Sequence, residues 1–167
     1  FPALSLPRFT EDLRIAWVKG YGLGTREECY VPACLTYLSP DATQYLAHGA
    51  KLIGPSTSTG VACARSPREA TFKGLCEVIE RDAFIIRWRA ALPCVRIEID
   101  PDSAIHATYH KVFVRPGLEY TIFETSLALQ LTVQGGPARV SPGAPPRILA
   151  GGACHPDPNL GVLKTLI

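Results

Sequence analysis

Five charged residues, Glu69, Lys73, Glu77, Glu80 and Arg81, recur at spacings of three and four. On a helix they share one face and stack along it. Two readings fit that pattern. Glu77 and Glu80 can aim their carboxylates into one space with Lys73 and Arg81 beside them. Mg2+ takes one or two protein carboxylates and completes its octahedron with water and phosphate oxygens, so such a face could hold the ion beneath a nucleotide. The same residues also make an alternating i,i+4 ladder of the kind found on a solvated helix face, each pair worth about 0.2–0.5 kcal/mol. Leu75, Cys76, Val78, Ile79, Ala83 and Phe84 crowd the charges and leave little polar surface. A ladder requires Glu77 and Glu80 to be largely exposed; a binding site requires them to line a concave pocket.

Other chemistry finds less support. His106 and His110 are four apart and, with Cys154 and His155, could supply half-sites for a metal. No Glu stands between the histidines as in H-E-x-x-H, and the pairs have no fixed spacing, so surface histidines are the plainer account. G-x-S-x-G is absent, and no cysteine has a neighbourhood that marks it as a nucleophile. Ser58-Thr59-Gly60 has no adjacent Lys, and the chain carries no G-x-x-x-x-G-K-[ST] phosphate loop. The six cysteines, Cys29, Cys34, Cys63, Cys76, Cys94 and Cys154, form no C-x-x-C pair and sit among apolar neighbours, which predicts buried, reduced thiols.

The elements that must position these groups are legible in outline. Leu13–Leu23 and Cys29–Leu38 are rich in β-formers and flank a turn at 24–27, which predicts two paired strands. Ser66-Pro67-Arg68-Glu69 reads as a helix start with Ser66 at the N-cap, Pro67 first in the helix and Glu69 completing a capping box. That helix is expected from about Pro67 to Ala91, ahead of Pro93, with Ala70, Leu75, Val78, Ile79, Ile85 and Ile86 burying much of its girth. Beyond it the pattern predicts a strand at Cys94–Ile99, a helix at Pro101–Val112, strands at Leu118–Phe123 and Leu127–Val133, a Gly/Pro-rich surface loop at Gln134–Pro146, a strand at Arg147–Ala150 and a last helix from about Pro158. The fold class is α+β: a mixed or antiparallel sheet packed against one long central helix and a shorter C-terminal helix.

Composition narrows the function. The 167 residues are 47% hydrophobic, enough for a packed core in one domain, and Gly 14 with Pro 15 favours sheets and turns over a helical bundle. Lys+Arg 17 against Asp+Glu 15 gives no basic excess, so DNA or RNA binding has no electrostatic support. No apolar run approaches the roughly 18 residues that span a bilayer. The chain reads as soluble, cytoplasmic and without a membrane partner.

Ser58-Thr59-Gly60-Val61-Ala62-Cys63-Ala64, then Glu69-Ala70, then Gly74 to Phe84 with its E-x-x-E-R-D-A core, and Trp88, together resemble the central segment of the YcaO family, the ATP-using components of azoline and thioamide formation on peptides. Trp17 and Val31-Pro32-Ala33 are similar to the family's preceding strand pair, and Gly151 to Pro158 to the approach to its later helix. Ala64 stands where the family commonly has Gly, and Gly161 where it commonly has Ala. The resemblance covers most of the chain, 1–167, as a single partial YcaO-like domain. The family's G-K-G and first S-x-x-x-E-x-x-E-R segment would precede Phe1, and the acid and Gln of its later helix would follow Ile167. The absence of Met and the start at Phe1 agree with that expectation.

The resemblance implies ATP and Mg2+ as cofactors, with Glu77 and Glu80 as Mg2+ ligands, Arg81 and Lys73 in the nucleotide site, and Ser58 with Gly60 in a loop near substrate or nucleotide. It implies phosphorylation of a backbone amide oxygen, so that a Cys, Ser or Thr of a ribosomally synthesised precursor peptide closes to an azoline. A leader-binding protein would be the partner. No catalytic residue is assigned. The alternative is a non-catalytic scaffold or binding module with an incomplete nucleotide site. An interior cut through a larger domain would also expose apolar surface or self-associate into a homo-oligomer.

Overall fold

The computed structural model describes residues 6–38, 49–116, 118–127 and 150–167, and the backbone of 132–138. The chain divides into two compact units, Phe1–Val61 and Ala62–Ile167.

In the first unit, β1 (Trp17–Tyr21) and β2 (Glu28–Pro32) pair antiparallel, Trp17 opposite Pro32 and Tyr21 opposite Glu28. The connection closes with the Gly22 N–H on the Glu27 carbonyl at 2.9 Å, the Arg26 N–H on the Gly22 carbonyl at 2.9 Å and Arg26 in the left-handed region at φ 63°. The second strand does not continue to Leu38 as its composition suggests. Residues Ala33–Thr36 form the short helix α1 instead. The Thr36 hydroxyl donates to the Pro32 carbonyl at 3.1 Å, and Ala33 and Cys34 are buried. A short apolar run buries equally well as a helical turn, and its period cannot tell the two apart.

The second unit begins with α2 (Pro67–Ala90). Ser66 caps it, its hydroxyl accepting the Glu69 N–H at 3.3 Å. The other half of the capping box is displaced by one residue, since Glu69 Oε2 accepts from the Arg65 N–H at 3.3 Å. The helix ends at Ala90, one residue early, because Ala91 turns left-handed at φ 50° and the Leu92 N–H reaches back to the Arg87 carbonyl at 3.0 Å. Pro93 then prevents resumption.

A four-stranded antiparallel sheet follows in the order β3 (Val95–Ile97), β4 (Glu119–Glu124), β5 (Thr132–Ala138), β6 (Gly151–Cys154). Helix α3 (His106–Val112) lies between β3 and β4 in the chain, and α4 (Pro158–Thr165) closes it. Both α2 and α4 pack against β5 and β6. This is the expected α+β arrangement of antiparallel sheet, long helix and shorter C-terminal helix. Ile105, Ile122 and Val162 form the buried centre, with Ile97, Ile99, Leu163 and Leu166 packed on it.

Several boundaries differ from those expected. Helix α3 starts at His106 because residues 100–103 form an Asx turn, with Asp100 Oδ1 accepting the Asp102 N–H at 2.8 Å. The Gly/Pro-rich stretch from Gln134 is strand through Ala138, not loop; residues 128–131 of the strand predicted at Leu127–Val133, and 139–149 beyond β5, lie outside the described residues. Pro137 lies opposite Tyr120 of β4 and beyond Thr132 to Gly135, the stretch of β5 that pairs with β6. Of the strand expected at Arg147–Ala150, 147–149 lie outside the described residues and Ala150 is irregular; the strand is Gly151–Cys154.

The broad apolar girth expected of α2 is also not buried as predicted: Leu75, Val78, Ile85 and Ile86 are exposed, and the small residues Gly74 and Ala83 are the buried ones. Cys29, Cys63 and Cys94 are exposed, contrary to the expectation of buried thiols, whereas Cys34 and Cys154 are buried; all six are free. Among the described residues no helix is long and apolar enough to cross a membrane.

Candidate functional site

The inward side of α2 carries Cys76 and Glu80, which meet Cys154 of β6, then Ala83 and Arg87, spaced at four, three and four. Ala83 is small enough to let the helix approach the sheet. Arg87 ties the helix to the residues that follow β4 and to the turn before β3: Nε donates to the Thr125 carbonyl at 2.8 Å, Nη2 to the Ser126 carbonyl at 2.6 Å, and Nη1 to the Pro93 carbonyl. Beside the contact of α2 with β6 lies a cavity of about 450 Å³ lined by Glu69, Lys73, Cys76, Glu77 and Glu80 from α2, Cys154 at the end of β6 with His155 after it, and Lys164 from α4.

Burial separates the charges of α2 into two groups. Glu69 and Lys73 form an ordinary surface pair at 2.9 Å, both more than two-fifths exposed. The hydrogen bond and charge of Lys73 hold the Glu69 carboxyl below its ordinary range. Glu77 and Glu80, however, are 22% and 16% exposed, and both face the 53%-exposed Arg81, with Nε at 3.6 Å and 3.8 Å. A plain solvated ladder is thereby excluded, because its two central acids line a concave pocket.

Burial raises the pKa of Glu80. Arg81 and Lys164 oppose the rise, Glu77 adds to it, and the Cys154 backbone N–H supports the charged form. Beside it the Cys154 thiol is pushed up to about 12 by burial and by its hydrogen-bonded neighbour Cys76, which keeps it protonated at neutral pH.

The charge of Glu77 adds to the proton affinity of the partly buried Glu80, and two carboxylates so placed are stabilised by a cation. Two such ligands suit Mg2+, whose remaining positions belong to water and phosphate. Among the described residues no three His, Cys, Asp or Glu side chains converge as a closed metal cluster. The reading that joined His106 and His110 to Cys154 and His155 is therefore not assembled. The two histidine rings of α3 lie against each other at a tilt of 53°, centroids 4.3 Å apart, while His155 lines the cavity.

Ser58 and Gly60 belong to the first unit, where the Val61 N–H bonds the Ser58 carbonyl at 2.9 Å and Gly60 takes φ 82°. Thr59, Gly60 and Val61 line a groove of about 250 Å³ with Val18, Gly20, Val31 and Leu35. Sequence reasoning missed Cys76 and Lys164 as cavity residues. The stripe Cys76, Glu80, Ala83, Arg87 could have marked the buried face of α2, but nothing local marks Lys164.

An antiparallel sheet thus backs a helix whose paired glutamates face a cavity, in a chain whose sequence carries no phosphate loop. The chain belongs to the YcaO family: the family described as "YcaO cyclodehydratase, ATP- and Mg2+-binding" matches residues 2–167. ATP and Mg2+ are thus the ligands of its family. An uncharacterised protein of Methanothermobacter thermautotrophicus is 29% identical over 98% of this chain, which spans 43% of that protein. The YcaO protein of Methanopyrus kandleri bound with AMPPCP and Mg2+ superimposes with a TM-score of 0.72 at 24% identity over 96% of this chain and 41% of its own. The Escherichia coli microcin synthetase McbBCD complex with pro-MccB17 bound gives 0.68 at 16% identity, over 92% of this chain and 39% of that one. A heterocyclase in complex with substrate and cofactor gives 0.72 at 20% identity, over 90% and 19%. The chain spans less than half the length of each of these proteins.

Proposed function

We propose that this protein takes part in the ATP-dependent cyclodehydration of Cys, Ser or Thr in a ribosomally synthesised peptide, in the cytoplasm, alongside a protein that binds the peptide's leader. The observation that carries the reading is the placement of Glu77 and Glu80 inside a cavity rather than on a solvated face. In this reading Glu77 and Glu80 hold Mg2+, Arg81 and Lys73 neutralise phosphate charge, and Ser58 and Gly60 keep the family's role near substrate or nucleotide. Family membership and the fold shared with heterocyclases support it.

A peptide carbonyl resists cyclisation because its oxygen is a poor leaving group. Attack by the neighbouring side chain gives a hemiorthoamide whose oxygen must be lost. Mg2+-bound ATP supplies the γ-phosphoryl group that converts this oxygen to phosphate. The C–O bond then breaks, the nitrogen gives up its proton and the C=N bond of the azoline forms, leaving ADP and phosphate. The chain's residues contribute position and charge compensation, which is most of what phosphoryl transfer asks of a protein.

The test is Glu77→Gln in the full-length protein with its partner and precursor peptide. The expected result is loss of ATP-dependent dehydration, read as the missing loss of water in the peptide mass. Unchanged turnover overturns the proposal.

A further inference from the structure

We infer that His155 is a ligand-binding residue of the cavity, with Nε2–H donating to an anionic oxygen of the bound nucleotide; the inference rests on the nucleotide reading above. It starts from the chain's own hydrogen bonds. His155 ends the approach from β6 into α4, and its Nδ1 lies 3.0 Å from the Asp157 N–H and 3.1 Å from the Asp157 carbonyl. Those neighbours demand opposite things of Nδ1, a lone pair for the first and a proton for the second.

The carbonyl is already engaged, since it accepts the Gly161 N–H at 2.9 Å in the first turn of α4. The Asp157 N–H has no other acceptor among the described residues, because the capping carboxylate serves the N–H groups of Asn159 at 2.9 Å and Leu160 at 3.4 Å. Nδ1 therefore takes the accepting role, and the ring proton sits on Nε2. The cap of α4 thus fixes the tautomer and orientation of the imidazole, in the way a supporting partner orients a working histidine.

Nε2–H has no protein partner among the described residues, and the half-buried ring lines the same cavity as Glu77, Glu80 and Lys164. A neutral N–H donor in a half-enclosed site with two carboxylates suits an oxygen acceptor carried by an anion that brings its own cation, as Mg2+-nucleotide phosphate does. It does not suit a bare cation, towards which an N–H is repulsive. His155 therefore binds the nucleotide and not the metal.

Two amide substitutions separate this role from a structural one. In His155→Asn the amide oxygen can stand where Nδ1 stands and keep the Asp157 N–H bond, but nothing reaches the place of Nε2. In His155→Gln the amide nitrogen reaches that place. Calorimetric titration of the full-length protein with AMPPCP and Mg2+ is expected to show H155N weakened roughly ten- to hundredfold, as for loss of a hydrogen bond to a charged group, and H155Q close to wild type. Equal affinity of H155N and wild type overturns the inference, as does the reverse order of the two variants. E80Q is titrated beside them. If E80Q loses binding while H155N does not, the nucleotide reading stands and the role of His155 falls; if E80Q binds normally, both fall. Nitrogen chemical shifts of the nucleotide-free protein give a readout independent of ligand: Nε2 protonated is expected, and Nδ1 protonated refutes the geometry.

Discussion

Arg81 Nε lies 3.8 Å from Glu80 Oε1, at the edge of ion-pair range, and the carboxylate is the buried member of the pair, 16% exposed against 53% for the guanidinium. Arg81 therefore offsets only part of what burial costs Glu80, whose pKa stays above its ordinary value.

That imbalance predicts a trade between binding and stability. A carboxyl whose folded pKa is raised contributes stability that is fully present below the unfolded value and is lost as pH rises through the folded one. At neutral pH the ionised Glu80 thus destabilises the metal-free protein. E80Q should raise its melting temperature at neutral pH, with the difference narrowing towards pH 4, while abolishing Mg2+-nucleotide binding. Scanning calorimetry at two pH values checks it; a lower melting temperature for E80Q at neutral pH contradicts the assignment.

Arg87 should behave as a structural bolt. Removing its guanidinium in R87A leaves the Thr125 and Ser126 carbonyls, both in buried residues, without this donor. The expected cost is about 1–3 kcal/mol, read from the urea midpoint. R87K should recover only part, because an ammonium cannot reproduce the fork.

Asp157 serves two N–H groups as the N-cap of α4. D157A should cost about 1 kcal/mol of stability, and D157N much less, since asparagine caps nearly as well. Denaturant unfolding of the three proteins tests the order.

The cysteines should fall into two classes. Under native conditions at neutral pH an alkylating reagent should label Cys29, Cys63 and Cys94 and spare Cys34 and Cys154, the latter doubly protected by burial and by a thiol pKa near 12. Peptide mapping by mass spectrometry reads the pattern, and rapid labelling of Cys154 would contradict the packing of α2 on β6.

Local chemistry was enough to place α2 and α4. Ser66-Pro67 announces the start of α2 and Pro158 that of α4, because a capping side chain or a proline acts on the backbone next to it, whatever the rest of the chain does; the Asp157 cap of α4 came from the structure. The E-x-x-E-R spacing likewise determined that Glu77, Glu80 and Arg81 share a face. Whether that face met water or protein was beyond it: a ladder and a site have the same period, and only the packing of α2 against β6 made Glu77 and Glu80 cavity residues while leaving Leu75 and Ile85 exposed.

The glycine-rich stretch at 134–138 was misread for the same reason. Gly135 opposite Gly151 is a pairing made across the chain, and its ladder outweighs the local preference of Gly and Pro for turns. The tautomer of His155 belongs to this class too. The sequence by itself offered a histidine ahead of the helix that starts near Pro158; the tertiary structure decided which nitrogen the cap residue Asp157 occupies and that the ring lines the cavity.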